Sequence, residues 1–281
     1  MNMKPFCFAR DKIIESNQAS LHPLDIGLIR GYAIFDFFRT VGRHPLFLEE
    51  YLKRFTDSAA KAGLPLDYSM QELKEIIYAL IAKNEHEDGG VRMILTGGLS
   101  DNHFLPARGQ VFIFCEALQL PGEEKYQKGV KLLSTSYVRP MPAIKTTNYT
   151  LPCYLSLDWK AQGAEDVVYH YEGRVSESSR SNIFMVKHGL LYTPQRDILW
   201  GITRDKVIRL AKDVSFTDFS LEDLMAADEV FISSTTKRIL PVTQIDQVRI
   251  GDGMPGPLTR NLMQSFLALE TETATSAASG Y

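Results

Sequence analysis

The sequence predicts an α/β protein of two domains. Its 281 residues are close to twice the length of about 150 residues that one domain usually takes. Stretches with apolar residues at helical spacing alternate with short runs rich in β-branched and aromatic residues. The Pro/Gly/charge cluster Leu120-Pro121-Gly122-Glu123-Glu124 separates two β-like stretches and reads as a linker. The expected division is therefore a small α/β domain over 1–119, a linker over 120–124 and a larger domain over 125–281.

In the first domain, β-rich runs are expected at Ile34–Thr40, Val91–Thr96 and Val111–Cys115, with Gly42 and Arg43 turning the chain after the first. Leu48, Tyr51, Leu52, Phe55, Ala59 and Ala62 share one helical face, and Gly63 with Pro65 supplies the stop. Met70, Leu73, Ile76, Ile77, Leu80 and Ile81 repeat the pattern. In the second domain, strands are expected over 130–136, 166–171, 182–186, 190–193 and 229–233, and helices near 150–162, 203–213 and 257–270. Lys187-His188-Gly189 closes a hairpin and Gly163 caps a helix. Thr275 to Gly280 has no apolar period and is expected to fray.

Composition excludes several classes. Thirty-one Lys plus Arg against 34 Asp plus Glu leave no basic excess for nucleic acid. With 44% hydrophobic and 23% charged residues the chain is an ordinary globular one, and no apolar run approaches the length of a membrane span. Charge near the first residues leaves no secretory leader pattern, so a cytoplasmic protein is expected. Cys7, Cys115 and Cys153 are odd in number and widely spaced, and the six histidines show no ligand spacing, so neither a disulfide framework nor a metal site is expected. Phosphate-loop and dinucleotide glycine fingerprints are absent.

Subtler features remain. Leu199-Trp200-Gly201-Ile202-Thr203-Arg204 runs straight into a helix, which leaves the Ile202 and Thr203 amides open to an anion, although every helix start does this. Ser233-Ser234-Thr235-Thr236 gathers hydroxyls at the end of an apolar strand, as a ligand site or a polar turn. Arg54 lies at the rim of the apolar face of its helix, about 60° from Tyr51 at about 100° per residue. Lys145 follows an apolar stretch and precedes hydroxyls. A desolvated lysine there would be a nucleophilic amine able to form a Schiff base with an aldehyde, against the ordinary reading of a surface charge. Glu177 is surrounded by donors and should stay ionised, or cap a turn.

Taken in order, these pieces resemble the class IV aminotransferases, the fold-type IV family of pyridoxal phosphate enzymes that includes D-amino-acid and branched-chain transaminases and aminodeoxychorismate lyase. The pieces are Asp25-x-Gly27 through Gly31 and Phe35-Asp36, Arg54 in Tyr51-Leu52-Lys53-Arg54-Phe55, Ile144-Lys145-x-x-Asn148, Glu177 with Asn182-Ile183-Phe184, Gly201-Ile202-Thr203-Arg204, and Ser234-Thr235-Thr236. They span nearly the whole chain.

The resemblance implies a small N-terminal domain and a larger, mixed α/β, barrel-like C-terminal domain that binds pyridoxal 5'-phosphate. It implies that Lys145 carries the cofactor as a Schiff base and moves the proton at the substrate α-carbon. Glu177 would pair with the pyridinium nitrogen. Arg54, the Ile202 and Thr203 amides and Ser234, Thr235 and Thr236 would hold the phosphate. Tyr149 would reach the phenolic oxygen. The family also implies a homodimer exchanging an amino group between an amino acid and a 2-oxo acid.

The chain departs from bacterial D-amino-acid transaminases in the substrate carboxylate trap. Phe35 stands where they place a tyrosine, and Ser100-Asp101-Asn102-His103-Phe104 where they place Arg-x-His. Arg92, within an apolar strand, and Arg30, within Gly27-Leu28-Ile29-Arg30-Gly31, are the candidate replacements, against salt bridges to internal carboxylates. Arg30 would serve the neighbouring subunit. The Ser-Thr-Thr segment favours D-amino acids. The alternatives are a branched-chain L-amino acid aminotransferase, an aminodeoxychorismate lyase and a non-catalytic cofactor-binding protein.

Overall fold

A computed structural model of the chain describes residues 3–278. The chain divides into two compact units: one takes in the residues up to Gln119, the segment Ile144–Tyr149 and the chain from Glu272, and the other Leu120–Ala143 and Thr150–Thr271.

In the first unit six strands form an antiparallel sheet, in the order Lys12–Glu15, Met3–Ala9, Val111–Glu116, Gly89–Thr96, Ala33–Val41, His44–Pro45. Helices Leu48–Lys61 and Met70–Lys83 pack on it. Leu52, Phe55, Leu73 and Ile77 of the helices and Val91, Met93 and Ile113 of the sheet are fully buried. Each such side chain contributes roughly 1.5–3 kcal/mol by leaving water. The first helix stops where Gly63 takes φ +63°, as its position predicts. The second starts on a capping box, in which Ser69 and Glu72 each accept the other's backbone amide. Gly90 sits in a strand because a Cβ there would come within 2.1 Å of the Phe37 ring.

In the second unit six strands close a small ring. It runs from Asn182–Lys187 through Glu229–Ser234, Arg238–Ile245, Val130–Ser136, Asp166–Tyr171 and Arg174–Ser178, and returns through the pairing of Glu177 with Asn182. Val130–Ser136 is parallel to both its neighbours, and the other pairings of the ring are antiparallel. Leu132, Val168, Val175, Ile183, Ile232 and Leu240 form one buried cluster. Trp159 of helix Thr150–Ala161 forms a second with Val167 and Tyr169. Neighbours in sequence, Val167 and Val168, thus serve different clusters, as a strand buried on both faces requires. The fold is mixed α/β with a small barrel, the class that the sequence predicts.

The structure departs from the sequence reading in four places. The expected C-terminal domain is interrupted, because Ile144–Tyr149 joins the first unit: Ile34 bridges Thr146, and the Phe35 amide donates to the Lys145 carbonyl at 2.9 Å. Glu123 and Glu124 of the linker begin a short helix, Glu123–Lys128. Strands Arg174–Ser178 and Arg238–Ile245 carry no clear sequence signal, the second because Pro241 lies inside it. Proline is tolerated there beside a register shift between Val242 and Gln244. The last helix, Pro257–Ala278, runs through most of the tail expected to fray; Ser279 and Gly280 lie outside the described residues. No helix among the described residues is long and apolar enough to cross a membrane.

Candidate active site

In the first unit, Phe35 is the centre of an aromatic group. The segment bearing Lys145 lies beside strand Ala33–Val41 through the bonds just given and one from the Thr147 amide to the Ala33 carbonyl, 2.9 Å. This backbone pairing puts the Lys145 ammonium 4.6 Å from the centre of the Phe35 ring. Tyr149 meets the same ring edge-on at 5.7 Å. Lys145 is half-buried, between the dry amine and the surface charge that the sequence allowed.

Arg54 forks onto Asp36, Nε to Oδ2 at 2.8 Å and Nη2 to Oδ1 at 2.6 Å, and Asp36 is fully buried. Burial would pull the Arg54 pKa down. The charge and hydrogen bonds of Asp36, with Tyr51 and Tyr149 nearby, outweigh it and hold the pKa above its ordinary value. The fork leaves Nη1 outside the pair. Asp36 enters the sequence reading only as part of the Phe35-Asp36 piece of the resemblance, without a role; the further signal is a carboxylate inside the apolar run Ile34 to Phe38.

The two candidate carboxylate binders differ from expectation. Arg92 has an internal partner, with Nη2 2.6 Å from Glu116 Oε1, and its guanidinium lies over Phe37 at 4.9 Å and Phe35 at 5.6 Å. The salt bridge left open in the sequence is therefore present. Arg30 is exposed, not buried. It follows the short helix Ile26–Ile29, donates to the His103 carbonyl at 3.3 Å and stacks on Phe104 at 4.8 Å.

In the second unit, Asn182 organises the remaining residues. It pairs in register with Glu177 on one side and Ser233 on the other. Its Nδ2 donates to the Leu199 carbonyl at 2.7 Å, while the Leu199 amide donates to Glu177 Oε2 at 2.9 Å. Leu199 is thus held through both its amide and its carbonyl. Glu177 is 5% exposed, and its other oxygen accepts from Arg139 Nε at 2.9 Å. Arg139, between Val138 and Pro140, was not singled out from the sequence, and nothing local marks it.

Two residues beyond Leu199, Gly201 caps helix Ile202–Ala211. A Cβ at Gly201 would come within 2.2 Å of Asn182 Oδ1, so only glycine lets the loop approach this closely. The first bond of the helix runs from the Asp205 amide to the Gly201 carbonyl, so no helical carbonyl serves the Ile202, Thr203 and Arg204 amides. At the neighbouring strand end, the Lys237 amide closes the turn Ser234-Thr235-Thr236-Lys237 onto the Ser234 carbonyl at 3.3 Å. Below the turn, Lys237 Nζ lies 2.6 Å from buried Asp166. Burial would raise the Asp166 pKa; Lys237 and Arg180, with the Ser179 hydroxyl, outweigh it and lower it.

The donor set fits a phosphorylated aromatic cofactor. The hydroxyls of Ser178, Ser181, Ser233 and Ser234 are buried without a hydrogen-bond partner, an arrangement that costs free energy unless something else bonds to them. Open helix amides suit a phosphate, and an ionised carboxylate suits a protonated ring nitrogen.

Fold and site together define a pyridoxal phosphate enzyme of fold type IV. The chain superposes on the branched-chain amino acid aminotransferase of Escherichia coli at a TM-score of 0.89, with 28% identity over 95% of each chain. A second branched-chain amino acid aminotransferase, from T.th. and solved with pyridoxamine 5'-phosphate, gives the same TM-score of 0.89, with 27% identity over 96% of each chain. In sequence the chain is 34% identical over 267 residues to the D-alanine aminotransferase of Listeria monocytogenes serotype 4b (strain F2365), covering 91% of this chain and 92% of that one. Residues 33–245 match the family model for amino-transferase class IV. The chain belongs to that family and is an aminotransferase.

Proposed function

We propose that this aminotransferase exchanges an amino group between a D-amino acid and a 2-oxo acid. The observation that carries the site assignment is the convergence on Asn182 of the Glu177 carboxylate, the start of helix Ile202–Ala211 and the Ser233 strand end. When bound, pyridoxal 5'-phosphate supplies an electron sink for the pair left when the substrate Cα–H bond breaks. Glu177, oriented by Arg139 and the Leu199 amide, would hold the proton on the ring nitrogen. Ile202 and Thr203 amides, the 234–236 hydroxyls and Nη1 of Arg54 bind the phosphate. Tyr149 donates to the phenolic oxygen, and Lys145 tethers the cofactor and then carries the proton at the substrate α-carbon. Arg30, which has no carboxylate partner among the described residues, takes the substrate carboxylate. Arg92 instead supports the Phe35 and Phe37 rings.

The D-amino-acid reading is supported by the Listeria D-alanine aminotransferase and by the Ser-Thr-Thr turn. Branched-chain L-amino acids are the second reading, supported by the branched-chain aminotransferases that share the fold. A cytoplasmic homodimer is proposed as well. Leu28, Leu99, Phe104 and Leu105 are exposed by 54–71% of their surface, which suits a partner copy and places Arg30 to serve its neighbour.

Half-reactions test this directly. D-alanine or D-glutamate should bleach the absorption of the loaded enzyme and 2-oxoglutarate should restore it, while a response to L-leucine alone would transfer the enzyme to the second reading. Lys145→Ala should lower turnover by at least about 10,000-fold, beyond the usual share of one positioned acid/base group, because it removes both tether and proton carrier. Retained multiple turnovers would remove Lys145 from the mechanism.

A further inference from the structure

Arg204 is the largest of the fully buried side chains, 1% exposed. Its Nη2 donates to the Pro194 carbonyl at 2.8 Å and its Nε to Thr193 Oγ1 at 3.4 Å. The guanidinium lies 4.7 Å from the centre of the Trp200 ring and 5.6 Å from that of Phe216. Among the described residues no carboxylate pairs with it; its neighbour Asp205 pairs with Arg209 instead. Arg139 and Lys237, two other cations described in this unit, each have a carboxylate within 3 Å. Burial pulls the Arg204 pKa down to about 10, which still leaves it charged at neutral pH.

Its position deepens the anomaly. Arg204 is the third residue of helix Ile202–Ala211, where the macrodipole already presents positive charge and where acidic side chains are the stabilising choice. Cation and helix end therefore add rather than cancel. A buried charge requires a counter-charge, and the amides that lack helical acceptors lie in this same first turn. The ligand that suits two added positive sources is one carrying more than a single negative charge, and a phosphate monoester carries about −1.5 to −2 at neutral pH.

We propose that Arg204 is the buried counter-charge of the phosphate received at the start of helix Ile202–Ala211. Its Nε and Nη2 are directed to Thr193 and Pro194, so its charge acts at longer range than a hydrogen bond from those groups. Through those bonds and the Trp200 ring it also holds both ends of the loop that delivers the Leu199 amide to Glu177. It is a positioning residue, and it is set apart from a purely structural arginine by its dependence on the phosphate charge. The identity of the phosphate carrier rests on the functional reading above; the counter-charge itself does not.

The test uses the cofactor-free full chain as wild type, Arg204→Lys and Arg204→Met. Affinities for pyridoxal 5'-phosphate and for pyridoxal, which lacks the phosphate, are measured by absorbance, and thermal midpoints with inorganic phosphate. Arg204→Met should bind pyridoxal 5'-phosphate about 30-fold more weakly, the upper range for a charge at a partly buried helix end, with pyridoxal affected less than about threefold. Arg204→Lys should restore most of the phosphate-specific part. Equal loss for both ligands, or no loss, would overturn the proposal, as would a well-folded Lys variant that no longer distinguishes them. If the wild type takes up no pyridoxal 5'-phosphate the functional reading falls, and inorganic phosphate still decides the role of Arg204. It should raise the midpoint of the wild type and the Lys variant but not of the Met variant, and equal protection of all three would overturn the counter-charge.

Discussion

The two compact units treat buried polarity differently. Around Lys145 in the first unit, charge is settled within the chain: Arg54 is neutralised by Asp36 and Arg92 by Glu116, and Phe35 is bracketed by Lys145 and Tyr149. Around Asn182 in the second unit, four serine hydroxyls are buried without a partner and Arg204 makes no ion pair among the described residues, Asp205 acting on it only at a distance. The charged side chains around Lys145 are thus paired within the chain, while the serines around Asn182 keep unused bonding capacity that a ligand would take up.

The contrast breaks most severely if the internal pairs of the first unit prove dispensable. Asp36→Asn leaves Arg54 without its carboxylate at a site where the two side chains are 0% and 13% exposed. It should destabilise the protein by about 3–5 kcal/mol in denaturant titration, and adding Arg54→Met should recover most of that loss. A variant as stable as wild type would mean that the pair is not what holds the strand. Next in size, Glu177→Gln should lower turnover by about 100- to 1,000-fold, the range for one preorganised electrostatic group, since a neutral amide cannot keep a ring nitrogen protonated. Turnover within tenfold of wild type would show that the charge at this position is not used.

The smallest effect concerns one of the first unit's own unsatisfied buried side chains, which also include Thr40, His44 and Gln110. His86 is fully buried, and burial, aided by the charge of Lys4, outweighs the Gly90 backbone and Asp88 and lowers its pKa from 6.5. The unfolded chain then binds the proton more readily than the folded one. The stability that His86 contributes is complete above about 6.5 and is lost as pH falls from there toward the folded value. Thermal midpoints should fall on that acid limb, and His86→Leu should flatten it. An unchanged slope in the variant would assign the acid sensitivity to other groups.

Several residues of the candidate site carry a signal in the local sequence. Lys145 stands out by its apolar and hydroxyl flanks, Glu177 by its donors, and Gly201 to Arg204 by running into a helix. What could not be read depends on register and on long separations. Asp36 meets Arg54 eighteen residues on, Arg139 meets Glu177 after 38, and Asp166 meets Lys237 after 71. The role of Asn182 comes from strand order, which period and propensity do not encode. Arg92 shows the converse: its apolar strand suggested a ligand contact, but antiparallel pairing with Val111–Glu116 brings Glu116 within reach. Strand Arg238–Ile245 was hidden by Pro241, whose cost is absorbed by an irregularity invisible without coordinates.

The ring of six strands is sealed by one residue pair, Glu177 with Asn182, where its other joints are ladders of several. A closed wall is weakest at its narrowest joint, so breathing of this barrel would begin where the carboxylate stands. A molecule clasped there would act as a rivet across the gap, and amide hydrogens along both flanking strands would report its arrival by slowing together.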